Sequence, residues 1–315
     1  MYTQSLCAGR KPAPPSRISP HIWHAVTRAQ EEDMETGIVF DVKEFSVYDG
    51  PGMRQTVFLK GCPLRCSWCH NPEGLGAAPQ LMVSLNSCTH CGKCREVCPH
   101  KEGCTACSAC VAVCPQNVRR IAGTEMTSEA LAALVMKDAP YYARYGGGVT
   151  FSGGEPLLQA RFLRETLERL RGIHRCIETS GYADEQSFGM VLDELDYVIM
   201  DLKLMDDGLH RRYTGVSNAR ILQNARTLMQ SGKPCRFRVP LIPGVNDTQE
   251  NMTATARFIR EVNPRIPVEL MPYHVTAGAK YPMVGRTYSP AFDVSRPVHV
   301  HLEPFKSHGL ECSVL

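Results

Sequence analysis

The sequence predicts an α/β protein: six parallel strands, each followed by a helix, curled into a partial (β/α)6 barrel and interrupted by a small inserted module. Three observations carry that expectation. From residue 54 onward, short β-rich runs alternate with helical stretches. The residues with chemistry to offer fall at the C-terminal ends of those runs, where parallel α/β folds keep their sites. Finally, eleven of the fifteen cysteines crowd between Cys62 and Cys114, eight of them in residues 87–115, a stretch with little apolar content.

Residues 1–36 read as a flexible extension, polar and punctuated by Pro12, Pro14, Pro15 and Pro20, with an acidic run at Glu31, Glu32 and Asp33. Organised sequence begins at METGIVFDVKEFSV, and Met34 just ahead of it offers an alternative start. The expected bounds are 37–86 for the first part of the core, 87–118 for the insert and 119–315 for the rest. The strands are RQTVFLKG, GGVTFSG, HRCIETS, DYVIMDLK, CRFRVPLI and IPVELMPY. Between them, QARFLRETLERLRG places Phe162, Leu163, Leu167 and Leu170 on one helical face and stops at Gly172. SNARILQNARTLMQSG does the same with Ile221, Leu222, Ala225, Leu228 and Met229, closing at Gly232, and TQENMTATARFIREVN follows Pro243 and Gly244.

The totals exclude several classes. A chain of 315 residues suits one large α/β domain plus a small module, and 43% hydrophobic with 21% charged residues is ordinary globular composition. A net charge of +3 from 35 basic and 32 acidic residues predicts no nucleic-acid or membrane partner. No run approaches the roughly 20 apolar residues of a membrane span. The N-terminus lacks the apolar stretch of an export signal, so a cytoplasmic chain with reduced thiols is expected. Clustered cysteines then read as metal ligands rather than disulfides.

Within the insert the spacing is Cys88-x2-Cys91-x2-Cys94-x3-Cys98-Pro, then Cys104-x2-Cys107-x2-Cys110-x3-Cys114-Pro. Bacterial ferredoxins carry this run, three cysteines holding one cluster while the fourth reaches the other. On that rule Cys88, Cys91, Cys94 and Cys114 hold one [4Fe–4S] cluster, and Cys104, Cys107, Cys110 and Cys98 a second. Paired zinc knuckles fit the spacing poorly. Only five residues join Cys98 to Cys104; at about 3.5 Å per extended residue they span roughly 20 Å, which permits two clusters but leaves the crossed pairing open.

Ahead of the insert, GCPLRCSWCHNPEG holds just three cysteines, Cys62, Cys66 and Cys69, after the first strand. Three thiolates on a four-iron cluster leave one iron without a protein ligand, free to bind and activate a substrate. SGGEP follows the second strand. Its Gly153 and Gly154 permit close approach of a ligand, and Glu155 offers a carboxylate to an ammonium group, although such a sequence alone also reads as a turn. Glu178 and Lys203 end the third and fourth strands and His274 follows the sixth; taken alone they read as solvated strand-end charges and a structural histidine. DGPG, from Asp49, reads alone as a turn. Cys7, Cys176, Cys235 and Cys312 fit no metal spacing and read as structural or incidental, and His299, His301 and His308 lack the acidic partners of a metal tract.

Together these stretches resemble the radical S-adenosylmethionine (SAM) superfamily. FSVYDGPGMRQTVFLKGCPLRCSWCHNPE is similar to the start of glycyl-radical enzyme activating enzymes, the group that includes the pyruvate formate-lyase activator. The similarity runs from about Gly37 to Gly285. It implies that the open iron on Cys62, Cys66 and Cys69 chelates the methionine end of SAM, with Trp68 in the last gap of the motif. It further implies that Gly153, Gly154 and Glu155 bind the SAM amino group and that Glu178 lies near SAM. Lys203 would meet the SAM carboxylate, His274 would lie near its ribose, and Asp49 would contact the backbone of a partner's glycine loop. The implied activity is reductive cleavage of SAM to a 5'-deoxyadenosyl radical that takes hydrogen from a backbone glycine of a partner glycyl-radical enzyme. A low-potential donor such as flavodoxin or ferredoxin would supply the electron, relayed through the insert, giving three [4Fe–4S] clusters in all. Two alternatives stand beside this: a radical SAM enzyme acting on another peptide or a small molecule, and a ferredoxin-type electron carrier. No motif names the partner. Two-cluster inserts accompany activators of dehydratases, decarboxylases and carbon–nitrogen or carbon–sulfur lyases.

Overall fold

Alternation of polar and apolar residues along the central strands decides the architecture. The computed structural model describes residues 34–100 and 102–315; the extension expected over 1–36 lies almost wholly outside them. Eleven strands form among the described residues: β1 (Thr36–Ser46), β2 (Arg54–Leu59), β3 (Gln80–Val83), β4 (Arg119–Ala122), β5 (Thr124–Thr127), β6 (Gly148–Gly153), β7 (His174–Thr179), β8 (Tyr197–Asp201), β9 (Cys235–Leu241), β10 (Val268–Pro272) and β11 (Cys312–Val314). Nine build one sheet in the order β11-β10-β9-β8-β7-β6-β2-β1-β5. From β2 through β11 every pairing is parallel, while β1 and β5 add an antiparallel edge. All six expected strands are present, as β2 and β6 to β10. Strands β1, β5 and β11 extend them, with β5 and β11 as the two edges.

The outer face of this sheet is the core. Val57, Leu59, Val149, Phe151, Ile177, Val198, Met200, Phe237, Val239 and Leu270 belong to one buried cluster with residues of the covering helices. After the insert's short helices α1 (Lys93–Glu96) and α2 (Ala109–Ala112), those helices are α3 (Ser128–Met136), α4 (Ala139–Tyr145), α5 (Ala160–Arg169), α6 (Glu185–Leu192), α7 (Asp207–Thr214), α8 (Ala219–Ser231), α9 (Gln249–Val262) and α10 (Glu303–Ser307). Side-chain caps start four of them, at Thr127, Asp184, Asp206 and Thr248. Gly232 caps α8 in the left-handed conformation, as expected. Gly172 does not cap α5: that helix ends at Arg169 with Leu170 as its cap. Leu170 is drawn fully into the core, and Gly172 turns the chain two residues later at φ +89°.

The inner face is polar, unlike that of most parallel sheets, which are apolar on both sides. Thr56, Thr150, Ser152, Glu178, Arg238 and Glu269 are joined there by hydrogen bonds through Asp49 and one another. The sheet is also curled. Arg238, on β9, donates to the Tyr48 carbonyl just before β2, yet in a flat sheet those strands would lie about 19 Å apart. Phe237, beside Arg238 but on the outer face, is fully buried. Phe237→Ala is expected to cost about 3–5 kcal/mol, seen as a lower urea midpoint with an unchanged slope.

Candidate active site

The cysteine loop is held from all sides before any ligand is considered. Gly61 leaves β2 at φ +92°, its N–H donating to Gly74 O at 2.8 Å and its carbonyl accepting from the Glu155 N–H at 2.8 Å. The last turn of α7 supplies the carbonyls of Thr214 and Tyr213, which accept from the N–H groups of Arg65 (2.7 Å) and Ser67 (3.0 Å). Trp68, expected beside the cofactor, is packed with Leu204, Ile242 and Val245 and seats the loop on the barrel. Cys62, Cys66 and Cys69 are half-buried free thiols. Burial is the main influence pushing the Cys62 and Cys66 thiols up to about 12 and raising that of Cys69. The Leu64 and Asn71 N–H groups facing Cys62 and Cys69, and Lys203 near Cys66, act the other way, favouring thiolate.

At the end of β6 the glycine pair has a structural cause. A Cβ on Gly153 would lie 2.4 Å from both Leu59 N and O, and one on Gly154 2.2 Å from Gly61 O and 2.5 Å from Gly74 O. The close approach is therefore to the chain's own backbone beneath the cysteine loop. Glu155 is also held by the chain itself. Its carboxylate is fully buried, one oxygen accepting from Leu157 N–H (3.1 Å) and Thr179 Oγ1 (2.5 Å), the other from Ser180 N–H (2.8 Å) and Ser180 Oγ (2.5 Å). All its accepting capacity is engaged within the chain, so Glu155 ties the ends of β6 and β7 to the cysteine loop.

The remaining residues gather on the inner face and mouth. Lys203 is buried; its Nζ donates to Asp201 Oδ2 at 2.5 Å, and Asp201, Cys66 and Cys62 hold its pKa above the usual lysine value against burial. Glu178 accepts from Ser152 Oγ at 2.8 Å and Arg238 Nη1 at 2.6 Å. Burial raises its pKa, opposed by Arg238 and reinforced by Asp201 and Asp49. Asp49 comes from the loop preceding β2 but folds into the same interior: its carboxylate accepts from Thr56 Oγ1 and its carbonyl from Thr150 Oγ1, each at 2.6 Å. His274 is exposed and starts a 3-10 turn, close enough to His70 to lower that residue's pKa beyond the effect of burial. Within that turn Lys280 reaches back to Glu73 Oε1 (2.6 Å) and Asn71 Oδ1 (2.9 Å), joining the chain after β10 to the cysteine loop.

Beside the barrel, β3 and β4 form an antiparallel stem for the insert, so its foot lies slightly outside the expected bounds of 87–118. None of the described residues from 84 to 117 is buried. The sixteen-residue cysteine repeat is repeated in the backbone: His90 and Ala106 have φ of 53° and 56°, and Gly92 and Ser108, each preceding a short helix, have 80° and 64°. Cys94, Cys98, Cys104, Cys107 and Cys110 line one cavity of about 490 Å³. Among the described residues no group of three or more His, Cys, Asp or Glu is arranged to hold a metal ion.

Residues 56–258 match the radical SAM superfamily. The chain is 39% identical, over 280 aligned residues, to the isethionate sulfite-lyase activating enzyme of Oleidesulfovibrio alaskensis, covering 81% of this chain and 89% of that one. It is 38% identical to the trans-4-hydroxy-L-proline dehydratase activating enzyme of Clostridioides difficile, over 85% of this chain and 94% of that. A third relative, the 4-hydroxyphenylacetate decarboxylase activating enzyme of Clostridioides difficile strain 630, is 37% identical, over 88% and 96%. The chain belongs to the radical SAM superfamily, among its glycyl-radical enzyme activating enzymes.

Membership of the radical SAM superfamily implies a [4Fe–4S] cluster and SAM. The donor set at the mouth fits such a cluster: three thiols on one loop, two of them faced by backbone N–H groups that favour thiolate. A four-iron cluster takes its cysteines at separate irons rather than at one ion. Sequence reasoning missed Arg238, Asp201 and Asn246. Asn246, fully buried, donates to the carbonyls of Lys203 (2.7 Å) and Pro240 (2.6 Å) and accepts from the Ile242 N–H (2.6 Å), joining the loops after β8 and β9. The signal available for Arg238 was a charged residue every second position in CRFRV. The contacts at Gly154 are backbone atoms, which cannot yield as a flexible side chain would. Gly154→Ala is thus expected to destabilise this activating enzyme by about 1–3 kcal/mol, detectable as a lower thermal midpoint.

Proposed function

We propose that this chain uses SAM to place a radical on a backbone glycine of a partner glycyl-radical enzyme. The observation that carries this reading is the meeting of the DGPG loop and the sheet on one polar interior: the Tyr48 carbonyl, next to Asp49, accepts from the Arg238 guanidinium, which also donates to Glu178 near the end of β7 at 2.6 Å. The loop matched to partner binding thus meets the residues matched to cofactor binding. When bound and reduced, a [4Fe–4S] cluster with SAM supplies a 5'-deoxyadenosyl radical able to remove the glycine hydrogen.

Cys62, Cys66 and Cys69 would hold that cluster. Lys203, charged and buried beside two of the thiols, would meet the SAM carboxylate. Gly153 and Gly154 would meet the amino group through backbone, with Glu155 holding them in register from behind. Glu178 would lie near SAM, His274 at its ribose and Asp49 at the partner's backbone. The coreless insert and its backbone repeat support two further clusters, and the cavity that brings Cys98 together with Cys104, Cys107 and Cys110, with Cys94 also on its wall, is compatible with crossed ligands. That pairing puts Cys88, Cys91, Cys94 and Cys114 on one of them. An electron from flavodoxin or ferredoxin would enter through this module. Among the described residues no helix is long and apolar enough to cross a membrane, and the cysteines there are free, which supports a cytoplasmic setting.

Two measurements test the reading. Incubation with SAM, reductant and, in turn, isethionate sulfite-lyase, trans-4-hydroxy-L-proline dehydratase or 4-hydroxyphenylacetate decarboxylase should give a glycine-centred radical signal with at least one. Absence of that signal alongside normal SAM cleavage would favour another peptide or a small molecule as substrate. Cys66→Ala should abolish SAM cleavage while leaving the iron–sulfur absorption of the insert; continued cleavage would remove the cysteine loop from the mechanism.

A further inference from the structure

A small cleft opens beside the DGPG loop, between the β1–β2 hairpin and α4. Its volume is about 90 Å³. At about 30 Å³ per water molecule, that admits the end of one side chain rather than a whole metabolite. Glu44 and Asp138 line it, together with Arg54. Arg54 is buried and its donors are already engaged by the carbonyls of Pro51, Val149 and His174 and by Thr150 Oγ1. Two carboxylates against one guanidinium leave the lining one charge negative. Arg144, on the same helix, is directed instead over the Tyr145 ring, 5.5 Å from its centroid.

The wall also carries buried polar groups lacking partners. Gln55 and Tyr142 are 3% and 7% exposed, and neither Gln55 Oε1 nor the Tyr142 hydroxyl has a hydrogen-bond partner among the described residues. Gln55 Nε2 donates to Asp138 Oδ2 at 3.2 Å, which fixes the amide with its oxygen as the idle acceptor. Unsatisfied buried groups are rare in folded proteins and call for an explanation. Over the opening stand aromatic side chains. Tyr141 is 55% exposed and Phe45 63%. Phe45 holds φ +61°, an outlier for a bulky residue, where an irregularity in the β1–β2 pairing between Lys43 and Ser46 carries it outward.

We propose that this cleft receives the end of a lysine or arginine side chain of the glycyl-radical partner, held by Glu44, Asp138 and Gln55 under the Phe45 and Tyr141 rings. The occupant follows from the lining: acceptors and net negative charge inside, and aromatic faces that attract cations at the rim. It is a protein side chain because the cleft adjoins the loop carrying Asp49, four residues after Phe45, so a partner chain presenting its glycine there passes over the opening. This inference rests on the activating reading above and adds a specificity contact outside the chemistry.

The test uses the full-length protein and two probes, N-acetyl-L-arginine amide and its neutral isostere N-acetyl-L-citrulline amide, followed by ligand-observed NMR. The arginine probe should bind about tenfold more tightly than the citrulline probe, and Glu44→Gln with Asp138→Asn should remove that difference. Equal binding of the two probes, or a difference that survives the double variant, overturns the proposal. In turnover with whichever of the three glycyl-radical enzymes above is activated, the double variant should raise KM for that protein about tenfold, with kcat and partner-free SAM cleavage unchanged. Tyr141→Ala, a surface change, should raise KM in the same direction. An unchanged KM in a double variant of wild-type thermal midpoint sinks the cleft but leaves activation standing. A wild-type protein that cleaves SAM normally but radicalises none of the three counts against the activation reading, and the probe binding then decides the cleft alone.

Discussion

One buried carboxylate sets the geometry of the mouth. Taking an ion the size of a carboxylate out of water costs several kcal/mol, and hydrogen bonds to a charged group return about 1.5–3 kcal/mol each. Four donors from Leu157, Thr179 and Ser180 converge on Glu155 and offset part of that cost, burial still raising its pKa above the usual carboxylate value. Its own N–H meanwhile fixes Gly61 at the root of the cysteine loop. The ends of β2, β6 and β7 are consequently one rigid unit. A carboxylate in that position is a positioning group, and the flanking glycines exist because nothing larger fits where three stretches of backbone touch.

The parallel strands were legible because their outer positions are apolar and their ends carry turn residues. The inner positions were harder to read. A parallel sheet is expected to be apolar on both faces, so the polar residues within HRCIE, CRFRV and VELMP attracted notice only at a strand end, as Glu178 did. Arg238 and Glu269 sit mid-strand, and their pairing at 2.6 Å depends on neighbouring strands that sequence alone does not align. Strands β1, β5 and β11 were missed for a different reason: β5 and β11 are short edges that need little apolar periodicity, and β1 is exposed over its residues 43–45. For Trp68 and Glu155 the residue type suggested ligand contact, whereas packing and hydrogen-bond saturation decided their surroundings.

Arg238 gives the interior its coherence. One guanidinium meets Glu269 on β10, Glu178 on β7 and the Tyr48 carbonyl ahead of DGPG. A shift of the loop carrying Asp49 is therefore felt at Glu178 through a single side chain. Charge pairs of this kind hold geometry more than they add stability, since desolvation offsets most of their attraction.

The insert obeys other rules. Between residues 84 and 117 nothing described is buried, so collapse against water contributes almost nothing to its order and the two-stranded stem holds only its base. The barrel, with its continuous outer core, has no such dependence. With the proposed clusters as its only other support, metal loss and proteolytic vulnerability would become one event in this module. Oxygen that stripped the irons proposed there would leave a slack, cleavable arm on an otherwise intact domain, and the chain's lifetime in air would be set there.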